Sequence, residues 1–345
     1  MTDGQWEILK STVAGKVRTP LPVGFIIDSP WLPNWYGVDI LDYFSSDEIW
    51  FKANLKAIRD FPDAIFLPGF WSEYGMCTEP SAFGARCSFP ANEFPFAHKI
   101  IRNSDDIDAL EVPDPRKDGL LPFVLNRLKT NRRRMEEAGH RIRFAVARGP
   151  LNIASFLMGT TEFLTAIMLE PEKAEVLVGK VTLFLEAWID LQRETFPDID
   201  GIFLLDDIIG FMGEPEFRRF GLGPFKTLFD RDVTVKFLHN DAPCLQSAAL
   251  LPEMGVNLYN MGTDVTLPEL ATLTRGKVAL LGNIPPRDVL AKGSPDDVAA
   301  AVRGLVSSVG EGSKVMLSCG GGMPPGVSSE NIAAFIGAAK SRRQG

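Results

Sequence analysis

The chain is poor in histidine and cysteine, with three of the first and four of the second among 345 residues. It also has no excess of positive charge: 36 Lys and Arg stand against 44 Asp and Glu, a net charge of −8. Phosphate backbones are bound by clustered Lys and Arg, so no nucleic-acid partner is expected. The one basic cluster, Arg132-Arg133-Arg134, lies in the helical stretch RLKTNRRRMEEAG and is balanced by Glu136 and Glu137, which reads as a solvated face. No apolar run approaches membrane-spanning length, and the start MTDGQWEILK lacks the apolar core of a secretory signal. A cytoplasmic protein with no membrane association is expected. Cys77, Cys87, Cys244 and Cys319 are too scattered for a disulfide framework and read as free thiols or ligands. For Cys77 and Cys87, with nine residues between them and no nearby histidine, loop or packing roles are expected. His98 and His140 read as structural.

What is present is a repeated alternation. Eight short β-rich runs, PVGFIID (22–28), AIFLPGF (64–70), IRFAVARG (142–149), GIFLLDD (201–207), VTVKFLH (233–239), NLYNM (257–261), VALLGNI (278–284) and KVMLSCG (314–320), are separated by amphipathic helical patterns. SSDEIWFKANLKAIRDF has Ser46 or Asp47 as its cap, and SPDDVAAAVRGLVSSV has Ser294 as cap with Pro295 in the first turn. Nearly continuous apolar strands, each followed by a helix, are the pattern of buried parallel strands. Eight such units predict a (β/α)8 TIM barrel formed as a single domain over 1–345, with 1–19 as an N-terminal extension. No GxGxxG follows the first strand to favour a dinucleotide fold. The segment 71–140, after strand two, is longer than one connection needs and predicts an excursion over one rim.

Catalytic residues of such barrels stand at the C-terminal strand ends and in the loops beyond them. Here those ends carry Asp28, Trp71, Arg148, Asp206 with Asp207, His239 with Asp241, Asn260, Asn283 and Cys319. Neighbours in a strand face opposite sides, so only one of Asp206 and Asp207 is expected in the pocket, the other capping a turn. Asp206, Asp207 and Asp241 are the candidates for acid/base or orienting work. Arg148 is placed either to bind an anionic substrate group or to form a structural ion pair. His239, Cys319 and either Asp241 or Cys244 would supply three N, O and S ligands with a fourth position open, the pattern of catalytic zinc. The loops DSPWLPNWYG and PGFWSEYG, with Asp28, Trp31 and Trp71, would wall or cover the pocket. Asn260 and Asn283 would contact substrate. In SCGGGMPPG, Gly320 and Gly321 allow a backbone to approach a ligand closely.

The chain resembles the uroporphyrinogen decarboxylase superfamily, which includes the cobalamin-dependent methyltransferases. The likeness is carried by ARGPLNIASFLMGTTEFLTAIMLEPE (147–172), DGIFLLDDIIGFMGEPEFRRFGLGPFK (200–226), FLHND, LLGNIPPRDVLAKGSPDDVAAAV (280–302) and SCGGGMPPGVSSENIAAFIGAAK (318–340). It implies a (β/α)8 barrel. Decarboxylases of the family have an arginine-containing RQAGRYLPEY-like segment after strand one for the porphyrinogen carboxylates, where this chain has IIDSPWLPNWY without arginine. They also usually have a histidine where this chain has Cys319. The methyltransferase branch, of the methylcobalamin:coenzyme M type, has an H-x-C zinc motif followed much later by a cysteine. His239 and Cys319 match it, and Asp241 stands in place of the middle cysteine.

The resemblance implies zinc held by His239, Asp241 and Cys319, with Cys244 as a substitute, and methyl transfer between a small substrate and a corrinoid. A carboxylate for a thiolate makes the site harder and suits an oxygen or nitrogen substrate better than a thiol. The chain has no DxHxxG-type motif, so cobalamin would arrive free or on a separate corrinoid protein. The alternatives are a tetrapyrrole decarboxylase and a non-catalytic barrel that binds a ligand or a corrinoid protein. A monomer or homodimer is expected.

Overall fold

The computed structural model describes residues 1–16, 19–27, 30–310 and 312–340. Asp28 lies outside them. All eight expected strands form: β1 Val23–Ile26, β2 Ala64–Leu67, β3 Phe144–Arg148, β4 Gly201–Leu205, β5 Val235–Asn240, β6 Leu258–Met261, β7 Ala279–Ile284 and β8 Val315–Cys319. They pair in parallel in the order β2-β1-β8-β7-β6-β5-β4-β3, and the sheet curls into a (β/α)8 barrel.

The strand alternation sorts the barrel into two layers. Ile26, Ile65, Leu67, Phe144, Phe203, Val235, Phe237, Leu258, Ala279, Leu281 and Met316 fill the interior, where Phe203 and Phe237 stack with ring centres 4.2 Å apart. The alternate residues, among them Phe25, Phe66, Ile202, Leu204, Leu238, Tyr259, Leu280 and Leu317, face the helices. The N-terminal extension is part of this interior. Its helix Asp3–Val13, opened by a Thr2/Gln5 capping box, sends Trp6 and Leu9 into the barrel floor. There Trp6 meets Phe144 edge-on at 5.3 Å, and its Nε1 donates to Asp200 Oδ2 at 3.2 Å.

Among the described residues no ladder joins β2 to β3, and side chains take its place along β3. Gln192, on the helix Pro171–Thr195, accepts from the Val146 N–H at 3.0 Å and donates Nε2 to the Val146 carbonyl at 3.0 Å. The Arg148 N–H is taken by Glu79 Oε1 at 3.1 Å. An edge strand left with bare donors and acceptors inside the molecule is costly, and these contacts remove that cost. Glu79 comes from the excursion, which holds the hairpin Cys87–Ser88 and Phe96–Ala97 and the helices Ser104–Ala109 and Leu121–Glu137. On the last helix Arg132 and Arg133 pair with Glu136 and Glu137 one turn on, both at 2.8 Å. Ser46 and Ser294 cap their helices as the sequence suggests. No single described helix is long and apolar enough to cross a membrane.

His140 follows the helix Leu121–Glu137 and packs edge-on against Phe70 at 5.7 Å. Burial lowers its pKa from 6.5 to about 4. The unfolded chain therefore takes up a proton near pH 6.5 that the folded chain refuses until about pH 4, and the stability present above pH 6.5 is lost as pH falls through that interval. Denaturation midpoints measured from pH 7 to 4 are expected to fall less for His140→Gln than for the native protein.

Candidate active site

The inward-facing alternation, continued to the C-terminal strand ends, selects the residues that meet at the barrel mouth. Phe144 and Val146 lead to Arg148, Phe203 and Leu205 to Asp207, Val235 and Phe237 to His239 and Asp241, Leu258 to Asn260, and Leu281 to Asn283. The opposite alternation carries Asp206 and Cys319 toward the helix layer. Six of the polar strand-end residues are thus collected and two are turned away.

At the centre, one donor atom from each of Asp207, His239 and Asp241 lies within 4.8 Å of the other two. His239 Nε2 is 3.9 Å from Asp207 Oδ1, which also accepts the Asp241 N–H at 3.0 Å. The imidazole is set from behind by Asn260 on the next strand. The Asn260 Nδ2 donates to the Leu281 carbonyl at 2.7 Å, so its Oδ1 must face His239 Nδ1, also at 2.7 Å. An acceptor there requires a proton on Nδ1, which leaves Nε2 as the ring nitrogen that faces Asp207 and is open to a ligand. Burial raises the Asp207 pKa above the ordinary carboxylate range, with His239 acting in the opposite sense and Asp241 adding to the rise. Two neighbouring carboxylates, one of them penalised for its charge, beside an oriented imidazole nitrogen make a donor set that fits a divalent cation such as zinc. Asn260 would be the outer partner of His239 in such a site.

Cys319 is not in this group. Its side chain is buried on the helix side of β8, Sγ donates to the Gly321 carbonyl at 3.4 Å, and burial pushes its pKa up to about 12. Asp207, rather than Cys319, is the third side chain grouped with His239 and Asp241. Cys244 is also outside it, buried with its thiol against the Tyr259 hydroxyl and its pKa raised to about 11 by burial.

Asp206 has a different task from Asp207. Its Oδ2 accepts the Leu151 and Asn152 N–H groups at 2.9 and 3.1 Å, and its Oδ1 accepts that of Ile208 at 3.2 Å. It therefore caps the helix Pro150–Met158, whose first N–H groups have no partner of their own. Asp206 is fully buried, and burial raises its pKa to about 8 against the pull of those donors. Gly149 is the residue this contact demands, because a Cβ there would stand 2.3 Å from Asp206 Oδ2.

The remaining candidates fall in several places. The Arg148 guanidinium is buried against two carboxylates from the excursion, Nη2 to Glu73 Oε2 at 2.9 Å and Nη1 to Glu79 Oε2 at 3.7 Å. Asn283 Nδ2 donates to the Gly262 and Val265 carbonyls at 3.2 and 2.7 Å, holding the loop after β6. Trp31 is wholly enclosed, stacked on Trp35 and Phe66, with Nε1 on the Val327 carbonyl. Trp71 packs with the barrel interior, 6.0 Å from Phe203. The Gly-rich turn lies against the site: Gly320 N–H donates to the Ile284 carbonyl at 2.8 Å, and a Cβ on Gly321, which has φ +86°, would stand 3.0 Å from Asp241 Oδ2. Gly321→Ala is expected to displace the Asp241 carboxylate, and any zinc affinity that the native protein shows in competition with a chelating dye should fall about 10-fold or more in the variant. Sequence reasoning missed Glu73, Glu79 and Gln192. All three are distant in sequence from the strand they serve.

A family model described as uroporphyrinogen decarboxylase (URO-D) matches residues 34–342. Among curated relatives, the uroporphyrinogen decarboxylase of Cellvibrio japonicus is 26% identical over 312 residues, covering 86% of this chain and 84% of that protein. That of Pseudomonas fluorescens is 27% identical over 276 residues, covering 76% and 75%. Among solved structures, a methyltransferase from Methanosarcina mazei superposes with a TM-score of 0.80 at 18% identity, covering 96% of this chain and 97% of that one. That likeness is one of fold. A match across nine-tenths of the chain together with the barrel it predicts leads to one assignment: this chain belongs to the uroporphyrinogen decarboxylase family.

Proposed function

We propose that this chain is a methyltransferase that moves a methyl group between a small oxygen- or nitrogen-containing substrate and a corrinoid, with Asp207, His239 and Asp241 holding a zinc-type cation. The observation that carries the reading is the His239 imidazole, held at Nδ1 by Asn260, grouped with the Asp207 and Asp241 carboxylates within 4.8 Å in the barrel mouth. A cation held there would supply Lewis acidity to a substrate heteroatom whose bond to methyl breaks or forms. In that step the electron pair of the heteroatom–methyl bond stays on the heteroatom, and the protein must accommodate the charge left behind. Asn260 holds the imidazole in one tautomer, and the Asp241 N–H on Asp207 Oδ1 holds the two carboxylates in register. Asp241 is the most exposed of the three and meets incoming substrate first.

The disposition of positive charge argues against a porphyrinogen bearing many carboxylates. Arg148, the arginine at the inward strand ends, is already engaged by Glu73 and Glu79, and the segment after β1 has no arginine. The corrinoid would arrive free or on a partner protein. Equilibrium dialysis against zinc tests the reading: the native protein retains about one equivalent, and Asp241→Ala loses both the metal and the activity. A native protein that binds no metal, with Asp241→Ala as active as the native chain, would sink it.

A further inference from the structure

Away from the barrel mouth, the excursion brings two thiols together. Cys77 lies just ahead of the turn Pro80–Phe83, and Cys87 lies on the first strand of the hairpin. Cys87 Sγ is 4.0 Å from the Cys77 carbonyl oxygen and 3.6 Å from that of Ala85, which brings the Cys87 thiol against Cys77. Cys77 is buried and Cys87 half-buried, so a reagent in solvent reaches Cys87 first. The interaction between the two thiols and burial raise the Cys77 pKa, while that of Cys87 is lowered by its neighbour, which favours Cys87 as the thiolate. Cys244 and Cys319 have no thiol neighbour of this kind among the described residues and are both buried.

We propose that Cys77 and Cys87 form a reversible disulfide, a redox modification site in the excursion, with hydrogen peroxide or a small-molecule disulfide as oxidant. With peroxide, the Cys87 thiolate attacks one oxygen, the O–O bond breaks, and Cys87 becomes a sulfenic acid as the other oxygen leaves as water after taking a proton. The Cys77 sulfur then attacks the Cys87 sulfur, the S–O bond breaks and a second water leaves with the Cys77 proton. Two thiols and one peroxide give one disulfide and two waters. The bond would close the segment that carries Glu79, and Glu79 holds the Arg148 N–H at the end of β3. The modification therefore tethers a loop that supports the rim of the site.

The test treats the full native chain with peroxide, blocks remaining thiols after denaturation, and maps the cysteines by peptide mass spectrometry with and without a reducing agent. The expected result is a Cys77–Cys87 linked peptide, about 2 Da lighter than its reduced form and restored by reduction. Cys244 and Cys319 should remain at least ten times less oxidised. Cys87→Ser should leave Cys77 as a free thiol under the same treatment. Overoxidation of Cys87 without a link, earlier oxidation of Cys244 or Cys319, or four free thiols after treatment would each overturn the proposal.

Discussion

His239→Ala is expected to abolish the proposed zinc binding and to reduce the proposed methyl transfer by at least about 1,000-fold, because it deletes the nitrogen donor of the group and leaves two carboxylates facing each other. The same geometry orders the effects of its neighbours. Asn260→Ala leaves the imidazole in place but frees its tautomer and rotation, and a 10- to 100-fold loss of metal affinity is expected, about the usual effect of an outer partner. Cys319→Ser should leave the zinc stoichiometry unchanged, since the thiol lies on the helix side of β8 and donates to the Gly321 carbonyl. Metal analysis after dialysis, with chelator competition for affinity, gives all three. Zinc lost from Cys319→Ser and kept by His239→Ala would reverse the assignment of the ligand set.

Asp206→Ala is expected to destabilise the protein by about 2 kcal/mol, since it leaves the buried Leu151 and Asn152 N–H groups without an acceptor, at about 1 kcal/mol or more each, while the Ile208 N–H keeps Asn152 Oδ1 at 3.3 Å. The effect belongs to folding. The carboxylate is fully enclosed and its contacts are with the first turn of the helix Pro150–Met158 and with Ile208, so kcat of the folded fraction should change by no more than a few-fold. Urea denaturation and kcat measured on the same preparation separate this from an acid/base role, which would cost about 100-fold or more in rate with little change in stability. Asp207→Ala is expected to show the converse pattern: loss of metal with stability nearly kept.

The two aspartates show how far the sequence could be read. GIFLLDD announces a buried parallel strand ending in acids, and all eight strands were legible in this way because each is a short apolar run bounded by polar or glycine residues. Period-two alternation also says that only one of the two aspartates faces inward. It does not say which, because a strand buried on both faces shows no polar side from which to count. The same ambiguity affects KVMLSCG, where Ser318, not Cys319, has the inward alternation of Met316. His239 and Asp241 could be paired from their spacing, but the partner at Asp207 required the register of β4 with β5, in which Leu205 lies opposite His239. Arg148 was legible as a cation at a strand end. Its partners, Glu73 and Glu79, lie about 70 residues earlier in a loop-rich excursion, where no periodicity connects them to it.

The most direct test of the account is spectroscopic: purified zinc-loaded protein is mixed with cob(I)alamin and methylated oxygen and nitrogen compounds, and the corrinoid spectrum is followed with native and His239→Ala protein side by side. The account predicts conversion to the methylated corrinoid with at least one donor, dependent on the native protein and absent with His239→Ala. No conversion with any donor, from a preparation that decarboxylates uroporphyrinogen, would contradict it.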